Sequence, residues 1–171
     1  MLASNKLIES IIGVGRALNN RQVEYLIVGG TAVAYYGYFR HSITMAGVPA
    51  DRPDVDIWYN PSYANYFNLL DALADLGQDM AKHKREQSPN PRKSFFKYEF
   101  EYFTLDLLPE IKASMDFGPA FSRKEIIELN GVAIPFIDFE DLIADKQATA
   151  RPKDLLDIQH LRDISNQSPE L

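Results

Sequence analysis

Cysteine is absent from this chain of 171 residues, which excludes disulfides and thiolate metal sites and leaves any metal chemistry to oxygen ligands of the kind that suit magnesium. Long apolar runs are missing too. No stretch of about eighteen uncharged apolar residues occurs, so no membrane span is expected. Histidine is sparse: His41, His83 and His160 have no mutual spacing that makes a metal site or a nucleophile and base pair. No serine sits in a nucleophile elbow. Positive charge is in deficit, with Lys plus Arg at 18 against Asp plus Glu at 24 and a net charge of −6. That balance argues against binding of nucleic acid by the whole surface. Neither a signal peptide nor a basic transit peptide is visible in the polar start, and a cytoplasmic location is the default expectation.

What is present is a globular balance, 46% hydrophobic and 25% charged residues, without repeats, low-complexity tracts or a dividing linker. One domain over residues 1–171 is expected, with a core over about 23–137 and a C-terminal helical part over about 138–165. Leu7, Ile8, Ile11, Ile12 and Leu18 fall at helical spacing. Val23 to Val28 reads as a buried strand running into Gly29-Gly30-Thr31 and a small-residue helix over Ala32 to Tyr36. An irregular stretch from Arg40 to Pro53 precedes a strand from Val55 to Tyr59, and a helix opens at Pro61 or Ser62 and ends at Gly77. The segment on to Arg92 reads as the longest mobile loop. Its basic stretch, Lys82, Lys84, Arg85, Arg92, Lys93 and Lys97, reads as a solvated loop, with a local anion-binding patch as the alternative.

Two strands follow between Phe95 and Leu108, ended by Pro109. Glu125 to Leu129, Asn130-Gly131 and Val132 to Ile137 form a hairpin signature, because Asn-Gly supplies the positive φ angles of a type I′ turn. Asp138 caps one helix and Pro152 begins another. The order predicts an α+β fold with a mixed, largely antiparallel sheet flanked by helices, including C-terminal helices.

The chemistry resides in the acids. In Pro53-Asp54-Val55-Asp56-Ile57-Trp58, alternation puts Asp54 and Asp56 on one face of a strand and Val55 and Ile57 in the core. Two such carboxylates repel each other unless a cation lies between them. Asp106, between Leu105 and Leu107, is a third acid in an apolar strand. Singly, Asp54 reads as a turn residue and Asp106 as an edge-strand solubility charge; together with the glycine turn they read as a divalent-metal site. Gly29-Gly30, between strand and helix, permits close backbone approach to a phosphate, and Thr31 offers a hydroxyl. Tyr35, Tyr36 and Tyr38 read as packing groups rather than base-stacking ones.

The run Tyr25-Leu26-Ile27-Val28-Gly29-Gly30-Thr31-Ala32, the segment Gly37-Tyr38-Phe39-Arg40 and then Asp54-Val55-Asp56-Ile57-Trp58 resemble the polymerase-beta-type nucleotidyltransferase superfamily. The resemblance is to its small bacterial branch of toxin-type nucleotidyltransferases from abortive-infection systems, and extends to Asp141 through Lys146, Arg151, Lys153, Asp154 and Asp157. Residues His41 to Arg52 intervene where the Asp-x-Asp usually follows quickly, either as a surface insertion or as a remodelled acceptor end.

The resemblance implies a nucleotidyltransferase-like fold and magnesium-dependent transfer of a nucleoside monophosphate from an NTP to an acceptor hydroxyl on tRNA, a protein or a small molecule. It implies two magnesium ions held by Asp54, Asp56 and Asp106, with Asp106 also helping to deprotonate the acceptor. Gly29, Gly30, Thr31, Arg40, Lys146 and Arg151 would bind the nucleotide. Lys146 and Arg151 have a second reading, as answers to a helix dipole, and Asp154 either anchors one of them or stabilises its own helix. The alternative function is a catalytically silent nucleotide-binding or partner-binding domain, and an antitoxin partner is compatible with either.

Overall fold

The computed structural model describes residues 2–37 and 52–167. Tyr38, Arg40, His41 and the intervening stretch up to Asp51 lie outside the described residues.

The first helix, α1 (Leu2–Asn20), buries Leu7, Ile11, Ile12, Val14 and Leu18 along one stripe. The strand β1 (Tyr25–Val28) is buried throughout and passes at once into the short helix α2 (Gly29–Tyr35). After β2 (Asp54–Tyr59) comes α3 (Tyr63–Asp75), whose N-cap Ser62 accepts a hydrogen bond from the Asn65 amide. Where a long loop is expected, the structure has the single turn α4 (Ala81–Lys84) and a 3-10 turn over Pro91–Lys93. Buried Met80, Pro89 and Pro91 anchor that segment. The buried Tyr59 hydroxyl also reaches the Pro91 carbonyl at 2.9 Å and the Ser94 carbonyl.

The strands β3 (Phe96–Glu99) and β4 (Thr104–Leu108) precede α5 (Phe117–Ser122), a helix too short for periodicity to reveal, held where Phe117 meets the Trp58 ring edge-on. The hairpin is β5 (Glu125–Leu129) and β6 (Val132–Phe136), with φ +48° at Asn130 and +76° at Gly131, as a type I′ turn requires. The helix α6 (Phe139–Thr149) is capped by the Asp138 side chain, and α7 (Pro152–Gln167) closes the described chain. Among the described residues no helix is long and apolar enough to cross a membrane.

Among the described residues a mixed sheet of six strands runs β3-β4-β2-β1-β6-β5. Pairs β1–β2, β3–β4 and β5–β6 are antiparallel, and β1–β6 and β2–β4 are parallel. Side chains alternate across it. One face of the strands carries Val55, Ile57, Leu105, Leu107 and Phe96 into the core, where Tyr66 of α3 lies against Phe96. The other face of β2 and β4 carries Asp54, Asp56 and Asp106. There α2 packs on β1, β2 and α6, and α6 packs on α7.

Candidate active site

Strand register sets the acids in a row. Asp56 on β2 pairs with Asp106 on β4, Asp106 pairs with Lys97 on β3, and Asp56 pairs on its other side with Val28, the residue before Gly29. One lateral row therefore reads Lys97, Asp106, Asp56, Val28, with Asp54 in the next row opposite Thr104. The Lys97 ammonium bonds both oxygens of Asp106, at 3.1 and 3.2 Å. Burial pushes the Asp56 carboxyl up to about 6, helped by the neighbouring charges of Asp106 and Asp54 and opposed by Lys146 and Lys97. Burial also raises Asp54, against a counter-pull from Lys97.

Gly29 makes this proximity possible. Its φ is +65°, a region L side chains rarely adopt, and a Cβ there would lie 2.2 Å from Asp56 Oδ2. At Gly30 a Cβ would meet nothing within 4 Å, so no protein atom demands glycine there. Gly29→Ala is accordingly expected to cost about 3 kcal/mol, seen as a fall in Tm of roughly 6–12 °C. Gly30→Ala is expected to leave Tm within about 2 °C and to weaken nucleotide binding by filling the approach to the backbone. Equal melting of the two variants would remove the steric argument.

The acids form the floor of a cleft of about 650 Å³. Gly29, Gly30, Asp54, Asp56, Asp106, Lys146 and Arg151 all line it. Thr31 does not: it is buried and donates its hydroxyl to the Asp54 carbonyl at 3.3 Å, fixing the start of β2. Arg40 lies outside the described residues.

On the α6–α7 side, Lys146 is buried between Asp154 and Asp157, 3.1 Å from each, and Arg151 grips Asp154 through Nε at 2.6 Å and Nη2 at 3.2 Å. Asp154 thus anchors both cations. Burial alone would raise its carboxyl, but the hydrogen bond from Arg151 and the charge of Lys146 outweigh that and hold it low. Lys146 is thus buried on both acids, while the Arg151 side chain remains 54% exposed. The neighbouring loop is pinned by Asp145, which accepts from the Lys112 and Ala113 amides at 2.7 and 3.1 Å.

The opposite rim comes from the basic stretch before β3. Arg92, Lys93 and Phe95 line the cleft, and Phe95 is 52% exposed. The backbone that presents them is tied to the core by Tyr59. Lys97 shares their stretch, but only the pairing of β3 with β4 places it on Asp106. Tyr35 and Tyr36 pack against Phe136 and Phe139 respectively, with hydroxyls on Glu125 and the Ile137 carbonyl.

The donor set fits a divalent cation. Hard carboxylate oxygens stand side by side on adjacent strands, the missing Cβ of Gly29 leaves room for Asp56 Oδ2, and an ammonium already answers their charge. As the side chains stand, no group of three or more His, Asp or Glu among the described residues closes as a metal cage; Asp106 is engaged with Lys97 instead.

This arrangement of sheet and helices is a nucleotidyltransferase-like fold. Two solved structures share it. The solution structure of the antibiotic-resistance factor ANT(2'')-Ia aligns over 95% of this chain and 84% of its own length, at 17% identity and a TM-score of 0.55. An antigenic nucleotidyltransferase-like protein from Paracoccidioides brasiliensis aligns over 96% of this chain and 78% of its own, at 14% identity and a TM-score of 0.53. No family model matches the sequence, and no curated protein sequence does.

Proposed function

We propose that the protein transfers a nucleoside monophosphate from an NTP to an acceptor hydroxyl, with magnesium as the metal. The observation that carries this reading is the register of Asp56 with Asp106, with Asp54 on the same face, at the floor of a cleft bordered by Gly29 and Gly30. When bound, magnesium held by Asp54, Asp56 and Asp106 supplies charge neutralisation for the triphosphate and alignment of the attacking and leaving oxygens.

The chain's own residues do the rest. Strand order sets Gly29 and Gly30 on one side of the acid row and Arg92, Lys93 and Phe95 on the other. Gly30, with the exposed guanidinium of Arg151, receives the phosphate tail. In-line displacement requires attack from the side opposite the leaving group, so the acceptor hydroxyl comes in over Asp106. Asp106 takes its proton as the new bond to the α-phosphorus forms. The bond from that phosphorus to the β-phosphate bridge breaks, and pyrophosphate leaves with the electron pair.

The cations on the acceptor side favour a phosphate-bearing acceptor such as tRNA over a polycationic small molecule. Incubation of the purified protein with magnesium, each α-labelled NTP and cell extract is expected to label tRNA, and chelation of magnesium is expected to abolish the label. A protein-linked label keeps the transferase reading with a different acceptor. No label from any nucleotide refutes it.

The grip of Lys97 on both oxygens of Asp106 favours a second reading, a catalytically silent nucleotide-binding domain. Triphosphate binding without transfer in the same assay selects it.

A further inference from the structure

Lys97 is a cation built into the acid row. It is the second residue of β3, an edge strand of the sheet, in direct register with Asp106, and its ammonium reaches both carboxylate oxygens. The two partners differ in accessibility: the Lys97 side chain is 51% exposed and that of Asp106 is 16% exposed. Asp106 is fixed on an interior strand flanked by buried Leu105 and Leu107, whereas Lys97 lies on a flexible stem at the sheet edge. Lys97 can therefore swing into solvent without breaking a backbone pair, and Asp106 cannot follow it.

A divalent cation and an ammonium compete for the same lone pairs. The carboxylates of Asp54, Asp56 and Asp106 crowd one face, and Lys97 relieves that repulsion in the metal-free protein.

We propose that Lys97 is a displaceable internal counter-ion, which holds Asp106 in the metal-free protein and is expelled when a divalent metal enters. The proposal rests on the reading of Asp54, Asp56 and Asp106 as metal ligands. Its consequence is reciprocal: whatever Lys97 contributes to the metal-free fold it subtracts from metal affinity. Metal alone then binds weakly, and loading depends on a metal that arrives with the triphosphate. The contact that looks inhibitory becomes a safeguard against an unbalanced acid cluster.

The test is calorimetric titration of Mn²⁺, without nucleotide, into the full chain, its Lys97→Met variant and its Lys97→Arg variant. Methionine keeps the aliphatic stem and removes the charge; arginine keeps the charge. The methionine variant is expected to bind Mn²⁺ about tenfold tighter than wild type, the size of a half-exposed charged contact. The arginine variant is expected within about twofold of wild type. Without metal the methionine variant melts lower, and saturating Mn²⁺ brings it level with metal-loaded wild type. A role in the fold alone would lower melting equally with and without Mn²⁺ and leave affinity unchanged, which overturns the proposal. Equal Mn²⁺ binding by wild type and methionine variant sinks the counter-ion and leaves the transferase reading standing. Absence of binding in every protein, the methionine variant included, also sinks the counter-ion, while the transferase reading stands or falls by the labelling assay.

Discussion

Asp56→Asn is expected to reduce nucleotidyl transfer by about 10³-fold or more, while the metal-free protein becomes more stable. The two effects have one cause. Asp56 lies on β2 with Asp106 beside it and Asp54 two residues away, partly buried at the base of the cleft. Burial and those charges raise its carboxyl from an ordinary value of 3.8 to about 6. A carboxyl whose folded value lies above its unfolded value binds protons more tightly in the folded state. Between these two values the folded protein holds more protons than the unfolded one, so stability falls as pH rises from about 4 to about 6 and stays reduced above.

The full shift would correspond to about 3 kcal/mol. Since Asp56 opens on the cleft, solvent screening reduces the expected effect to about 1–2 kcal/mol. Asparagine keeps the shape and removes the titration. Thermal melting from pH 4 to 8 with chelator present should decline less steeply for Asp56→Asn than for wild type, and at pH 7 the variant should melt higher by roughly 3–6 °C. Magnesium added together with an NTP should raise the wild-type Tm further than that of the variant, because a protein gains stability in proportion to how well it binds. Full transfer by Asp56→Asn would defeat the metal-site assignment.

The parts legible in the sequence are those set by neighbours in the chain. Alternation within Asp54 to Trp58 fixes which side chains share a face, so the pairing of Asp54 with Asp56 needs no tertiary information. Asn130-Gly131 fixes its hairpin through two local dihedral angles, and Asp138 announces α6 by bonding the Glu140 and Asp141 amides. The order β3-β4-β2-β1-β6-β5 is not local. Nothing near Lys97 says that its partner is Asp106 rather than solvent, and a basic residue after a basic loop reads as more of the loop. The segment before β3 misleads for the same reason: its polar composition hides the anchoring of Pro91 by the Tyr59 hydroxyl from a distant strand. Helix α5 is too short to show a period, and its place depends on Trp58. Lys146 reads from sequence as a phosphate-binding cation or as an answer to a helix dipole, and only the packing of α6 on α7 shows it as a buried ion pair.

Lys146→Met should have the largest effect on stability, about 3–5 kcal/mol, because it takes a buried ammonium away from two buried acids. The Asp154 and Asp157 side chains are 0% exposed, and Lys146 is ion-paired with both. Arg151 can still serve Asp154, but the ammonium that Asp157 faces is lost. The corner that brings α7 back onto α6 passes through Ala150 at φ +50°, a left-handed conformation that costs an alanine about 1 kcal/mol, so the ion cluster also holds a strained turn closed. A Tm loss of roughly 6–20 °C follows. Replacing acids and base together, as Lys146→Met with Asp154→Asn and Asp157→Asn, should recover most of that loss, since a neutral buried set carries no uncompensated charge. Titration of the recovered variant with labelled NTP then separates the two roles open to Lys146. Unchanged triphosphate affinity makes it a structural cation, leaving phosphate contact on this side to exposed Arg151. Weakened affinity in a well-folded triple variant makes the ion cluster part of the triphosphate site. A loss below about 1 kcal/mol in Lys146→Met itself would mean that the buried acids find other compensation, and the cluster would not be what holds α7 against α6.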